Sequence, residues 1–182
     1  MGPGTSPTHR YAIFLRGVNV NGITVRMAEL RDELQELPLA DVTTVLASGN
    51  VTCSSRLGPA ELRTSVEEAL RRRFGYPAWV IVVERSALAE LAASVPPPPA
   101  ADIHSYITLF TGRPELEAFL AEAAHLVGQL TVLAGGTAVA WFSPKGQSTD
   151  VPISKLLARA RYASTSTTRN LNTVHKVLRL LA

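Results

Sequence analysis

Three short segments of the sequence are rich in arginine, amide or hydroxyl side chains, and two of them also contain glycines, a mixture that suits the binding of an anion. They are residues 16–22, residues 48–50 and residues 168–173. A guanidinium offers a planar fork of donors that fits a carboxylate or a phosphate, and glycines let the backbone approach an anion closely. The candidate ligand-binding residues are Arg16, Asn19, Ser48, Asn50, Thr168, Arg169, Asn170 and Asn172.

Each segment also has a purely structural interpretation. Asn and Ser cap helices and build turns, and Asn170 stands where it would cap a helix over residues 171–181. Residues 48–50 would then be a hairpin turn, and Arg16 would tie loops together by donating to carbonyl oxygens. At the level of sequence, the binding and the structural interpretation both stay open.

The residue types missing from these segments limit the chemistry. They contain no Asp, Glu, His or Cys, so acid–base catalysis by a carboxylate has no candidate there. The histidines show no short paired spacing of metal ligands, and they are His9, His104, His125 and His175. No P-loop or dinucleotide fingerprint is present, and Ser48 is not in a GxSxG elbow. We predict no metal and no cofactor, and it stays open whether the protein is an enzyme.

Composition and charge indicate a globular protein. Its 182 residues are 46% hydrophobic, and no apolar run reaches the ~18 residues that span a membrane. Residues 1–9 predict a disordered tail rather than a signal peptide. The single cysteine, Cys53, excludes an intrachain disulfide and is typical of a reducing compartment. We therefore predict a soluble, cytoplasmic protein that does not enter a membrane.

The net charge of +3 is unevenly distributed along the chain. All acidic residues precede residue 151, and the segment after it carries only basic charges. These are Lys155, Arg159, Arg161, Arg169, Lys176 and Arg179. Such an asymmetry either marks an anionic partner or reflects solvated helix faces.

The pattern of apolar residues and turn residues predicts an α+β fold in two ferredoxin-like halves. Strands are expected at residues 11–15, 42–47, 51–54 and 79–83, and helices at 27–37, 59–74 and 86–93. The order βαββαβ of residues 10–94 is the ferredoxin-like order. A proline run over residues 95–101 predicts a stiff spacer. In residues 102–182, strands at 106–110, 130–133 and 138–142 and helices at 115–126, 152–161 and 171–181 give βαββαα.

Strand direction in this topology predicts where the polar segments lie. The loop after the first strand and the turn between the second and third strands share one end of the sheet, together with the break at Gly75. We therefore expect Arg16 and Asn50 to lie close together, and Arg169 to face the same cleft. Consecutive apolar positions in residues 11–15 and 79–83 indicate strands covered on both faces. The two halves would then pack as one compact unit, and a homo-oligomer is a further alternative.

Four stretches of sequence carry a resemblance to a known family. RYAIFLRGVNVNG, MAELR, ASGNV and TTRNLNTVHKVL, in this order, resemble the bacterial family catalogued as domain of unknown function 1697. The resemblance covers the chain from Arg10 to Leu181. It implies a compact α+β fold in two similar subdomains, without an established activity. The signature positions that it implies are Arg16, Gly17, Asn19, Gly22, Ser48, Gly49, Asn50, Thr168, Arg169, Asn170, Asn172 and Thr173.

The chain departs from this family at two positions. Asn21 precedes Gly22 where the family commonly has Gly-Gly, and Leu171 stands where the family usually has Trp. If that Trp stacks on a ligand in the family, this chain binds differently. If it only fills the core, Leu can substitute.

Three functions are compatible with the sequence. The first is a protein that binds a small anionic metabolite or nucleotide at a cleft of the three polar segments. The second is a nucleic-acid-binding module that uses the basic C-terminal segment on phosphates, because residues 51–55 hold no aromatic residue for base stacking. The third is a structural or partner-binding protein without a small ligand.

Overall fold

The computed structural model describes residues 8–16, 24–46, 49–75, 77–126 and 128–182. These residues form two compact units. The first unit contains the described residues up to Ser86 together with Val177–Ala182, and the second unit is Ala87–Lys176. The proline spacer over residues 95–101 and the packing of two halves as one compact unit stay predictions.

The first unit is built on a four-stranded antiparallel sheet with the strand order β2-β3-β1-β4. Its elements are β1 (His9–Arg16), α1 (Met27–Gln35), β2 (Ala40–Val45), β3 (Asn50–Ser55), α2 (Pro59–Phe74) and β4 (Trp79–Glu84). The predicted βαββαβ order and ferredoxin-like arrangement are confirmed.

In helix α2, local sequence determines where the helix begins and ends. Pro59 lies in its first turn, where the missing N–H has no helical partner to lose. Gly75 ends it with a φ of 68°, a left-handed conformation that a glycine adopts without strain. The face with Leu62 and Leu70 is fully buried in a core that includes Cys53 of β3. Burial raises the pKa of the Cys53 thiol to about 12, so the thiol is unreactive near neutral pH.

The two edge strands of this sheet are both protected against further pairing. On β4, the backbone N–H of Val80 donates to the Glu67 carboxylate of α2 at 3.1 Å. On β2, the pairing register shifts between Ala40 and Thr43. Asp41, inside this irregularity, has a positive φ of 55°. A side-chain cover and a bulge are two of the ways in which natural sheets avoid aggregation.

Leu46 stores backbone strain directly after β2. Its φ is 59°, and its side chain is 50% exposed. The left-handed region costs an L-residue other than Gly or Asn roughly 1–2 kcal/mol. We expect Leu46→Asn to raise the free energy of unfolding by about 1 kcal/mol, measured by urea titration. Leu180→Asn is the matched control, because Leu180 is 46% exposed but lies in a helix, and it should bring no gain.

The second unit repeats the sheet topology of the first, with the strand order β6-β7-β5-β8 and antiparallel neighbours. Helix α3 (Arg85–Ala93) begins at the boundary between the units, and helix α6 (Leu171–Leu180) begins in the second unit and ends in the first. Between them lie β5 (Ile103–Phe110), α4 (Arg113–Glu122), β6 (Leu130–Val132), β7 (Ala138–Pro144), α5 (Pro152–Leu157) and β8 (Ser166–Asn170). The order is therefore βαββαβ followed by a helix. The fold class is confirmed, whereas the order βαββαα predicted for this half was wrong by one strand.

Strand β8 was not predicted because its sequence, STTRN, contains no apolar residue. Apolar periodicity therefore gives no signal there, and only the two threonines favour a strand. Pairing with β5 from Phe110↔Ser166 to Tyr106↔Asn170 supplies the missing stabilisation. The helices predicted over residues 115–126 and 152–161 are each shorter, and each is followed by a separate 3₁₀ turn.

Both faces of the central strands are buried. Ile13 and Phe14 are adjacent in β1, point to opposite faces, and are both fully buried. Ile107 and Thr108 behave in the same way in β5. The prediction of strands covered on both faces is confirmed for β1, whereas β4 is half-buried at most positions. Among the helices of the described residues, none combines the length and the apolar character that crossing a membrane requires.

Candidate functional site

One end of the first sheet gathers the candidate residues of the first unit. Arg16 is the last residue of β1 and lies directly opposite Trp79, the first residue of β4. On the other side of β1, Phe14 lies opposite Asn50, and the N–H of Leu15 donates to the carbonyl oxygen of Gly49 at 2.8 Å. The end of β1, the start of β3 and the start of β4 therefore meet, as the topology argument predicted. We call the set Arg16, Gly49, Asn50 and Trp79 the Arg16 end.

Two of the predicted site residues, Asn19 and Ser48, lie outside the described residues. Their assignment to the site therefore stays a prediction from the sequence. Both belong to segments that adjoin the Arg16 end, since one follows Arg16 in the chain and the other precedes Gly49.

Arg16 carries its charge in a partly dehydrated place. The side chain is half-buried, and burial lowers the pKa of its guanidinium. Removal from water disfavours the charged form of a base, and a nearby anion favours it. The charge at this position would therefore be stabilised by an anion that binds beside it.

Asn50 has a structural role at the same end. It is fully buried, and its Nδ2 donates to the carbonyl oxygen of Val45 at 2.8 Å. This bond joins the start of β3 to the end of β2, and Gly49 beside it has a φ of 71°. The amide donor of Asn50 therefore stabilises the hairpin turn, as the structural interpretation of this segment predicted.

In the second unit, Thr168 and Arg169 are fixed by contacts within their own sheet. The hydroxyls of Thr168 and Thr108 lie 2.8 Å apart, and Trp141 Nε1 donates to Thr108 Oγ1 at 2.9 Å. Arg169 is only 9% exposed. Its Nη1 donates to Thr167 Oγ1 at 2.7 Å and to the carbonyl oxygen of Thr168 at 2.8 Å.

Asn170 caps helix α6, as the structural interpretation predicted. Its Oδ1 accepts a hydrogen bond from the backbone N–H of Asn172 at 2.8 Å, which satisfies one of the free donors of the first turn. The side chain of Asn172 is exposed, and Leu171 at the family's tryptophan position is half-buried. Of this segment, Asn172 is thus the residue most open to solvent.

A second polar cluster was missed by sequence reasoning. The Glu122 carboxylate accepts hydrogen bonds from Arg159, Arg161 and the hydroxyl of Tyr162. The bond from Tyr162 and the charges of Arg161 and Arg159 lower the pKa of Glu122. Burial and Glu122 together raise the pKa of Tyr162 to about 12. No local pattern could reveal the cluster, because α4 and the 3₁₀ turn of Tyr162 lie far apart in sequence.

This cluster changes the interpretation of the basic C-terminal segment. Two of its charges, Arg159 and Arg161, already pair with Glu122. Arg169 is buried in β8. The other exposed basic residues of this segment, which form no ion pair with the described part of the chain, are Lys155, Lys176 and Arg179. In the described residues, no group of three or more His, Cys, Asp or Glu is placed to hold a metal ion.

Comparisons with known proteins show the fold and the family. The conserved bacterial protein SP0830 from Streptococcus pneumoniae has a similar structure, with a TM-score of 0.77 over 97% of this chain and 100% of that chain at 24% identity. An unknown protein from Galdieria sulphuraria aligns over 96% of this chain and 90% of its own at 11% identity, but its TM-score of 0.27 supports no argument. No curated protein matches the chain. The family model described as "Protein of unknown function (DUF1697)" matches residues 8–139, and the chain therefore belongs to this family.

Proposed function

We propose that this protein binds a small anionic metabolite or nucleotide and that Arg16 is the main charged contact. The observation that carries the proposal is the half-buried guanidinium of Arg16, whose pKa is lowered by burial at the end of the first sheet. The other proposed contacts are Asn19, Ser48, Asn50, Thr168, Arg169, Asn170 and Asn172.

These contacts are not expected to contribute equally. The hydrogen bonds of Arg169 to Thr167 and Thr168 already engage part of its guanidinium. Asn170 uses Oδ1 as a helix cap, and Asn50 uses Nδ2 on Val45. A group that is already hydrogen-bonded gains less from a ligand, because binding only exchanges one partner for another. We expect Arg16 to contribute most to the affinity, because its charged side chain is half-buried, whereas Arg169 is only 9% exposed.

Binding of nucleic acid through the basic C-terminal segment is the weaker alternative. Its affinity would depend on exposed cations that neutralise several phosphates. Arg159 and Arg161 are engaged by Glu122, and Arg169 is buried. The three exposed cations that remain would support only a weak contact with nucleic acid. If no anion binds, the remaining interpretation is a structural or partner-binding protein without a small ligand.

The proposal predicts a large effect of Arg16→Ala on anion binding. The probes are inorganic phosphate, pyrophosphate, citrate and the four ribonucleoside monophosphates, titrated into the full chain by isothermal titration calorimetry. A hydrogen bond to a charged group contributes about 1.5–3 kcal/mol, so Arg16→Ala should weaken the best probe by about 10- to 150-fold. Arg16→Lys should recover only part of this, because an ammonium lacks the planar fork.

The matched control is Arg56→Ala, which removes the same charge from an exposed position of the first unit. It should leave the affinity unchanged. If none of the probes binds the wild-type chain, or if Arg16→Ala binds as tightly as wild type, the proposed function is wrong.

A further inference from the structure

We propose that Trp79 stacks on an aromatic ring of the bound anion, so that the preferred ligand is a nucleotide rather than an aliphatic anion. This inference rests on the proposed function, because it concerns the ligand that Arg16 holds. It adds a residue that recognises the uncharged part of that ligand.

The pairing of β1 with β4 places Trp79 beside Arg16. The two residues are direct cross-strand partners. Partners of this kind project their side chains from the same face of a sheet, with Cβ atoms about 5 Å apart. The end of the sheet therefore presents a cation and a large aromatic ring side by side, the pair of groups that a phosphate joined to a base requires.

Trp79 begins the edge strand β4 of the first sheet. β4 is an edge strand, and among the described strands only β1 pairs with it. Neighbouring strands lie about 4.8 Å apart, so a phosphate on the guanidinium brings an attached base within reach of the indole. Leu46 follows the other edge strand, β2, and its apolar side chain is exposed at this end of the sheet.

The two tryptophans of the chain differ in their burial and in their contacts with other rings. Trp141 is buried, stacks on Tyr106 with ring centres 4.6 Å apart, and donates its N–H to Thr108. Trp79 is half-buried. In the part of the chain that the structure describes, no ring contact and no cation–π contact includes Trp79. A partly exposed aromatic ring that makes no ring contact with the described residues is suited to stack on a ring of a ligand.

The test compares ligands that differ only in the base. Ribose 5-phosphate and the monophosphates of adenosine, guanosine, cytidine and uridine are titrated into the full chain and into Trp79→Leu and Trp79→Phe. At least one nucleotide should bind wild type about 5- to 150-fold more tightly than ribose 5-phosphate. Trp79→Leu should remove most of this preference and leave the affinity for ribose 5-phosphate unchanged, whereas Trp79→Phe should retain most of it. Quenching of tryptophan emission by the nucleotide should disappear in Trp79→Phe although the nucleotide still binds.

The outcomes separate this inference from the proposed function. If ribose 5-phosphate binds through Arg16 as tightly as every nucleotide, or if Trp79→Leu weakens both classes equally, the role of Trp79 is refuted and anion binding stands. If neither class binds in an Arg16-dependent way, the proposed function has failed as well. Should Trp79→Leu not fold, the wild-type comparison and the emission of Trp79→Phe still decide the question.

Discussion

Replacing Arg169 with alanine will lower the free energy of unfolding by about 2–4 kcal/mol. The side chain is 9% exposed, and its Nη1 donates to Thr167 Oγ1 at 2.7 Å and to the Thr168 carbonyl oxygen at 2.8 Å. Alanine removes the donor of both bonds, of which the one to Thr167 is buried, and it removes the packing of the arginine stem. Urea titration followed by circular dichroism measures the loss.

The controls for Arg169 separate charge from position. Arg179→Ala removes the same charge from an exposed position of α6 and should change stability by less than about 0.5 kcal/mol. Arg169→Lys should fall between alanine and wild type, because a single ammonium cannot reproduce two donors held in a plane. A stable Arg169→Ala variant that has lost anion binding would show instead that this guanidinium serves the ligand and not β8.

The sequence predicted those parts of the fold that depend on interactions between residues close in sequence. Pro59 and Gly75 set the two ends of α2, and Asn170 caps α6, because each effect involves residues close in sequence. The unbroken apolar run in β1 likewise predicted a strand buried on both faces. Strand β8 was missed for the opposite reason, since its stability comes from pairing with β5 and not from its own residue types.

The sequence predicted only that part of the candidate site which follows from the order and direction of the strands. Strand direction alone predicts that Arg16 and Asn50 lie at one end of the first sheet, and the register of β1 with β3 agrees. The pairing of Arg16 with Trp79 depends on the register of two strands distant in sequence, and the sequence showed Trp79 only as the start of a strand. The cluster around Glu122 was hidden for the same reason, because tertiary packing brings its members together.

Asn50→Ala tests the structural interpretation of the hairpin. Asn50 is fully buried, and Nδ2 donates to the Val45 carbonyl oxygen at 2.8 Å. Removing the donor leaves a buried carbonyl unsatisfied and a cavity at the start of β3, so we expect a loss of about 2–3 kcal/mol in urea titration. Thr52→Val is the control at the next position on the same face of β3, and it should cost less than about 1 kcal/mol, because an apolar group of nearly the same shape replaces the hydroxyl.

The same variant separates two explanations of why an amide stands at this position. Arg16→Ala removes a positive charge and Asn50→Ala does not, so Asn50→Ala should weaken phosphate binding far less, when both are measured below their unfolding temperatures. The opposite pattern, with stability near wild type and binding lost, would mean that the bond to Val45 is dispensable. The amide would then belong to the ligand, and the hairpin would be held by Gly49, whose φ of 71° already suits the turn.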